Sequence, residues 1–232
     1  MQSAIARHTL KQTIANNIAQ IGKDIETMCS HADVPQAKPR LIAVSKVQPQ
    51  DRIIAALEAG QRDFGENRVQ EAEERWGTLK NTYPDVTLHL IGSLQTNKAN
   101  KAIALFDEIQ SVDRIKLAKA LAKEMALQDK HLPIYLQVNT GAEPQKGGVM
   151  VEELNTLHEA CIALGLKVVG LMCIPPSDDD PSLHFALLKK LAKKENLSKI
   201  SMGMSSDFAL AAAMGATDIR VGTAIFGERV KA

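Results

Sequence analysis

Short apolar runs of strand length alternate along this chain with longer stretches whose apolar residues recur at helical spacing. The first run, Leu41-Ile-Ala-Val-Ser-Lys46, ends abruptly in a lysine. Its density of Leu, Ile and Val reads as a fully buried strand of a parallel sheet, and strand alternation puts Ile42, Val44 and Lys46 on one face. Ahead of it, residues 3–29 contain no proline and a single glycine, with apolar residues at Ile5, Leu10, Ile14, Ile18, Ile21 and Ile25. That spacing predicts an amphipathic helix, followed by a connector, His31–Arg40, that holds Pro35 and Pro39.

After Lys46 the alternation continues. Pro49 opens a helix through Leu57 that Gly60 closes, and a strand at Asp63–Asn67 precedes a helix through Trp76. Strands at Thr87–Gly92 and Glu108–Asp113 precede helices at Thr96–Leu105 and up to about Leu127. A fifth strand, Pro133–Asn139, is separated by a Gly-rich loop from Val151–Leu164, and a sixth, Lys167–Ile174, precedes Ser182–Asn196. Lys199–Met204 leads to a helix at Ser206–Met214, and Asp218–Phe226 is the eighth strand. Eight strands, each followed by a helix or the chain end, make a TIM (β/α)8 barrel with an extra N-terminal helix the economical closure. A doubly wound open sheet is the alternative, disfavoured because no strand is followed by GxGxxG. No repeat or linker marks a second domain. Residues 1–232 therefore read as one barrel domain, with 1–40 as N-terminal helix and connector.

Composition narrows the function classes. The 232 residues are 45% hydrophobic and 24% charged, ordinary for a globular domain. A net charge of +1 and an aromatic content of 3% give no footprint for nucleic acid. Cys29, Cys161 and Cys173 are odd in number and far apart, which fits neither a disulfide framework nor a zinc site and points to a reducing compartment. No stretch reaches the length of a membrane span, and the first residues lack a signal-peptide core, so a soluble cytoplasmic protein is expected.

In such a barrel, polar residues at the C-terminal strand ends share one mouth. A lysine there, Lys46, is costly unless paired or chemically employed, and desolvation would lower its pKa. A neutral amine could hold a carbonyl as a Schiff base; the plainer alternative is a rim lysine whose ammonium reaches water. Ser201-Met-Gly-Met-Ser-Ser-Asp207 runs from strand to helix with Ser205 or Ser206 as N-cap, and Gly222-Thr223 closes the eighth strand. Loops after strands seven and eight commonly hold phosphate. Arg220 shares a side with Gly222 and points inward, where its guanidinium needs an acceptor such as a ring nitrogen or a carboxylate. No carboxylate pair suits glycosidase chemistry, and His89 reads as a satisfied core or wall residue rather than a metal ligand. A carbonyl trap, a phosphate cradle and a ring-nitrogen donor together describe one ligand, pyridoxal 5′-phosphate (PLP).

The residues also carry a family resemblance. Ala43-Val-Ser-Lys46, Phe64-Gly-Glu-Asn67, His89-Leu-Ile-Gly92 with Leu94-Gln95 and Asn97-Lys98, and Gly170-Leu-Met172 with Ile174-Pro-Pro176 stand in order with Ser201–Asp207 and Arg220–Gly227. Together they resemble the YggS/PROSC family of pyridoxal phosphate homeostasis proteins over nearly the whole chain. The resemblance implies a barrel similar to the alanine racemase N-terminal domain, with PLP as an aldimine on Lys46. It also implies Arg220 at the pyridine nitrogen, Asn67 at the mouth, and Ser201, Ser205, Gly222 and Thr223 around the phosphate. Two positions depart from the family pattern. Arg68 replaces the usual tyrosine, and the loop Asn139–Gly148 lacks the usual Lys-Ser/Thr-Gly ending.

An arginine opposite the pyridine nitrogen keeps its proton, which leaves the ring a weaker electron sink. No second acid/base is evident, because Tyr83 lies in a helix-to-strand loop and Tyr135 early in strand five. The expected function is therefore a PLP carrier and regulator of vitamin B6 pools, without catalytic residues or a metal. PLP-dependent apo-enzymes are candidate acceptors, and a monomer is expected. A racemase-like fold-type III enzyme and a sugar-phosphate Schiff-base enzyme without PLP are the alternatives.

Overall fold

The computed structural model describes residues 2–32 and 36–228, with side chains from residue 7 onward. Pro35 of the expected connector and the Ile5 side chain lie outside the described residues. The chain begins with a long helix, α1 (Gln2–His31), and then alternates. The first half runs β1 (Arg40–Val44), α2 (Gln50–Glu58), β2 (Asp63–Glu66), α3 (Val69–Thr82), β3 (Thr87–Leu90), α4 (Ala99–Leu105), β4 (Glu108–Val112) and α5 (Ile115–Leu127). The second half runs β5 (Ile134–Val138), α6 (Leu154–Ala163), β6 (Val168–Cys173), α7 (Pro181–Lys194), β7 (Lys199–Ser201), α8 (Phe208–Ala213), β8 (Asp218–Val221) and α9 (Thr223–Phe226). All strand pairs are parallel, and β8 pairs back onto β1 to close an eight-stranded barrel. The closed (β/α)8 architecture and the extra N-terminal helix follow the alternation of patterns along the sequence.

Two cores hold this arrangement. Outer strand faces (Phe64, Leu88, Ile109, Leu136, Leu171, Ile219) pack on helix residues such as Trp76, Leu121, Leu157, Phe185 and Ile225 in one apolar layer. Phe64 and Trp76 meet with ring centroids 4.8 Å apart in a tilted pair. On α1 the expected stripe is real: Ile14, Ile21 and Ile25 are buried, and Leu10 and Ile18 pack at the margin. This helix lies against α2, α8 and α9, outside the seam where β8 meets β1. Among the described residues no helix is long and apolar enough to cross a membrane.

The inner core is polar. Register and alternation turn Arg40, Ile42 and Val44 of β1 inward, in line with Asp218 and Arg220 of β8 and with Gly65 of β2. Near the N-terminal ends of the strands Arg40 Nε donates to Asp218 Oδ1 at 2.6 Å, and its Nη2 donates to Glu108 Oε1 at 3.0 Å. Tyr135 donates its hydroxyl to Asp218 Oδ2 at 2.8 Å. Arg40, Glu108 and Tyr135 also line a cavity of about 550 Å³ that opens at this end, where their polar groups are satisfied by one another.

Three strand ends differ from the sequence expectation, and each matters for the mouth. Strand β1 stops at Val44, so Lys46 stands in the turn beyond it rather than on the strand. Val47, at φ 59°, reverses the chain directly after the lysine. Strand β7 ends at Ser201 because Gly203, at φ 89°, turns the chain. A Cβ at Gly203 would lie 2.4 Å from Ala211 Cβ, so only glycine fits this turn. Strand β8 ends at Val221, and Gly222 accepts the amides of Ile225 and Phe226 to start a helical turn instead of a longer strand.

Candidate cofactor site

The C-terminal strand ends enclose a cavity of about 310 Å³ lined by Lys46, Asn67, Ser205, Ser206, Arg220, Gly222 and Thr223 with Val44, Ile91, Ile174 and Met204. Its volume lies at the lower end of the range for small-ligand pockets, roughly 300–1,000 Å³. Six of the seven residues singled out from sequence meet here. The seventh, Ser201, does not line the cavity: it is fully buried one layer below, where its Oγ accepts from Arg220 Nη1 at 2.6 Å. The three-residue β7 turns Ser201 inward beside Asp218, which takes it away from the expected phosphate loop.

The turn carrying Lys46 is clamped from below. Ser45 N–H donates to the Gly65 carbonyl at 3.0 Å, and Ser45 Oγ donates to Glu66 Oε1 at 2.7 Å. The same carboxylate oxygen accepts from Arg75 Nη1 at 2.7 Å and from the Trp76 indole at 3.0 Å. A fully buried carboxylate with three donors thus fixes the residue preceding the lysine. Asn67 follows β2 directly, and Gly92 packs against it so closely that a Cβ would lie 2.4 Å from the Asn67 carbonyl oxygen. Its side-chain Oδ1 is buried with no hydrogen-bond partner, an acceptor left over at the wall of the cavity.

On the opposite side, Ser205 is not the N-cap of α8; Asp207 holds that position and accepts the Met204 amide at 2.5 Å. Ser205 Oγ instead accepts from the Gly222 amide at 3.2 Å and the Ala224 amide at 3.4 Å, lacing the β7 and β8 loops together. A Cβ at Gly222 would meet Val44 no closer than 3.5 Å, an ordinary contact, so packing does not demand glycine there. The space it leaves belongs to the cavity.

Arg220 is only 3% exposed, and it donates to two neutral acceptors: Ser201 Oγ, and the Cys173 carbonyl, which takes Nη2 at 2.8 Å. Burial lowers its pKa. Ser201 in turn donates to Gln110 Oε1 at 2.7 Å, and Gln110 Nε2 donates to Glu108 Oε1 at 2.7 Å. This polar spine beneath the cavity was not singled out from sequence. Its signal was present in Glu108-Ile-Gln110, where polar residues share the face opposite Ile109 of a strand buried along its length. His89 is a satisfied wall residue as expected, bonded to Glu108 and Asp63. Among the described residues no His, Cys, Asp and Glu cluster could hold a metal ion. Tyr135 lies at the far end of the barrel, as its early place in β5 implied.

The family model of the alanine racemase N-terminal domain matches residues 17–230. The chain is 36% identical over 229 residues to the pyridoxal phosphate homeostasis protein of Vibrio cholerae, covering 94% of this chain and 97% of that one. It is 39% identical to the protein of the same name from Pseudomonas aeruginosa, covering 94% and 96%. The chain belongs to the pyridoxal phosphate homeostasis protein family. A solved structure, PipY of Synechococcus elongatus, a COG0325 family member with PLP bound, superposes with a TM-score of 0.75 at 38% identity. The superposition covers 89% of this chain and all of that one. Membership in the family and the barrel's architecture therefore agree with the motifs quoted from the sequence.

Proposed function

We propose that this protein binds pyridoxal 5′-phosphate in the cavity at the barrel mouth and serves PLP homeostasis in the cytoplasm, as a carrier rather than a catalyst. One observation carries the reading: a single small cavity brings together an amine (Lys46), a guanidinium (Arg220), a hydroxyl and glycine loop pair (Ser205, Gly222, Thr223) and the leftover acceptor Asn67 Oδ1. The amine, the guanidinium and the loop hydroxyls fit an aldehyde, a ring nitrogen and a phosphate. The similar solved structure with PLP bound supports it.

When bound, PLP supplies an aldehyde and an electron-withdrawing ring. Lys46 is the residue whose amine would hold the ligand reversibly through that aldehyde, with water as the by-product. Ser205, Gly222 and Thr223 receive the phosphate, and Asn67 borders the opening. Arg220, which keeps its proton, would face the ring nitrogen and would keep the ring from becoming a strong electron sink. That favours holding over turnover, and so does the distance of Tyr135, which is committed to Asp218 and Arg40 at the other end. Apo-enzymes that use PLP are the acceptors in this reading, and the protein acts as a monomer.

The test is an absorbance spectrum of the purified protein after incubation with PLP, before and after borohydride, with the labelled peptide mapped by mass spectrometry. The protein should turn yellow with its reduced tag on Lys46, and the Lys46→Ala variant should be folded but colourless. A colourless wild-type protein, or a tag on another residue, would refute it. Exchange of an amino acid's α-hydrogen with deuterated solvent faster than with free PLP would favour a racemase-like enzyme.

A further inference from the structure

We propose that Gln110 is a positioning residue for the bound ring: acting through Ser201, it fixes the direction in which Arg220 presents its donors. The proposal rests on the cofactor reading above. Arg220 can only donate hydrogen bonds and the Glu108 carboxylate can only accept them, whereas the two groups between can do either. Gln110 lies with Nε2 2.7 Å from Glu108 Oε1 and Oε1 2.7 Å from Ser201 Oγ. The reverse amide orientation would set two acceptor oxygens against each other, so the carboxylate dictates which end of the amide faces Ser201. The amide carbonyl then takes the only hydroxyl proton of Ser201. With that proton committed, Ser201 Oγ offers lone pairs alone, and it accepts from Arg220 Nη1 at 2.6 Å.

Every bond in this chain therefore runs one way, from Arg220 toward Glu108. Glu108 is anchored in turn by Arg40 at 3.0 Å and His89 at 2.7 Å, so the polarity originates in an ionic cluster. The Cys173 carbonyl supplies a second fixed point on the guanidinium, at 2.8 Å from Nη2. Two fixed points set the plane of a rigid fork, and its remaining N–H groups are left for the cavity that Arg220 lines. Gln110 and Ser201 are fully buried. Without the Gln110 carbonyl, the Ser201 proton is free to turn against Arg220.

The experiment compares two ligands, PLP and a benzenoid analogue that carries the same aldehyde, phenol and phosphate but has carbon in place of the ring nitrogen. Dissociation constants are measured for the wild type, Gln110→Met and Ser201→Ala. Wild type should prefer PLP by about tenfold, the scale of one hydrogen bond to a charged donor. In either variant that preference should collapse toward one, with the borohydride tag still on Lys46. Ser201→Ala removes a single oxygen from the same chain and decides the matter where Gln110→Met does not fold. A preference retained in the variants, or affinity for both ligands lost by the same factor, would overturn the positioning role. Wild type that takes up neither ligand would instead overturn the cofactor reading itself.

Discussion

His89 Nδ1 lies 2.7 Å from Glu108 Oε1, deep inside the barrel, and its Nε2 lies 2.9 Å from Asp63 Oδ1. Carboxylates on both sides of the ring favour its doubly protonated form, which can donate from both nitrogens. Burial works against that charge, but the bonds to Asp63 and Glu108 outweigh it and leave the His89 pKa raised. For Glu108, burial pulls upward while His89, Arg40 and Gln110 pull harder the other way, and its pKa falls to about 2.

Stability should therefore decline at both ends of the pH range. Glu108 is depressed on folding, so its contribution is complete above its ordinary value of 4.5 and is lost as the pH falls toward 2. The shift corresponds to roughly 3 kcal/mol. His89 is raised, so its contribution is complete below 6.5 and fades as the pH climbs through its folded value. Urea midpoints across pH should fall on both sides, and Glu108→Gln should flatten the acid limb.

Glu66 is fully buried and ties Ser45, Arg75 and Trp76 together. Removing it in Glu66→Ala takes away the acceptor of the Arg75 charge and of the Trp76 indole, and leaves the Ser45 hydroxyl only a long contact to the Gly65 carbonyl. A loss of about 3–5 kcal/mol is expected for breaking such a pair. Trp76 is the sole tryptophan and fully buried, so its emission reports this unfolding directly.

Gly92→Ala would drive a methyl to 2.4 Å from the Asn67 carbonyl oxygen. Backbone cannot yield as a flexible side chain does, so a cost of about 1–3 kcal/mol is expected. Asn67 should move with it, and PLP affinity measured by titration should drop in the same variant.

Val47 is a β-branched residue at φ 59° with 54% of its surface exposed. Asparagine tolerates that conformation far better, and Val47→Asn gives up little buried surface. The substitution should raise stability by about 1 kcal/mol, read from urea denaturation.

Burial pushes the Cys161 thiol up to about 11 and the Cys173 thiol up to about 12, and Cys29 is also raised. Thiolate is the reactive form. Iodoacetamide at pH 8 should leave these thiols unlabelled in the native protein and label all of them in urea.

Much of the barrel was legible in the sequence because its outer layer is apolar and regular. Short apolar runs and period-3.6 stretches alternate along the chain, and Leu41–Val44 announces itself as an unbroken apolar run while Ile134–Val138 places Ile, Leu and Val on one face. The lysine, arginine, serine and glycine of the mouth stood out because each is an unlikely neighbour for a buried strand end. Element ends were less legible. Turns such as those at Gly203 and Gly222 depend on a few backbone dihedrals and on neighbouring strands, so Ser205 became a bridge between loops rather than a cap.

The sequence by itself determined which residues of a strand share a face, because alternation is a local property of the pleat. Only the tertiary structure decided what those inward residues meet. Gln110 and Ser201 are 91 positions apart, yet one hydrogen bond joins them, because barrel closure brings β4 and β7 across a shared interior. Hydrogen-bond direction there is settled by partners from several strands at once, and no window of sequence contains them together.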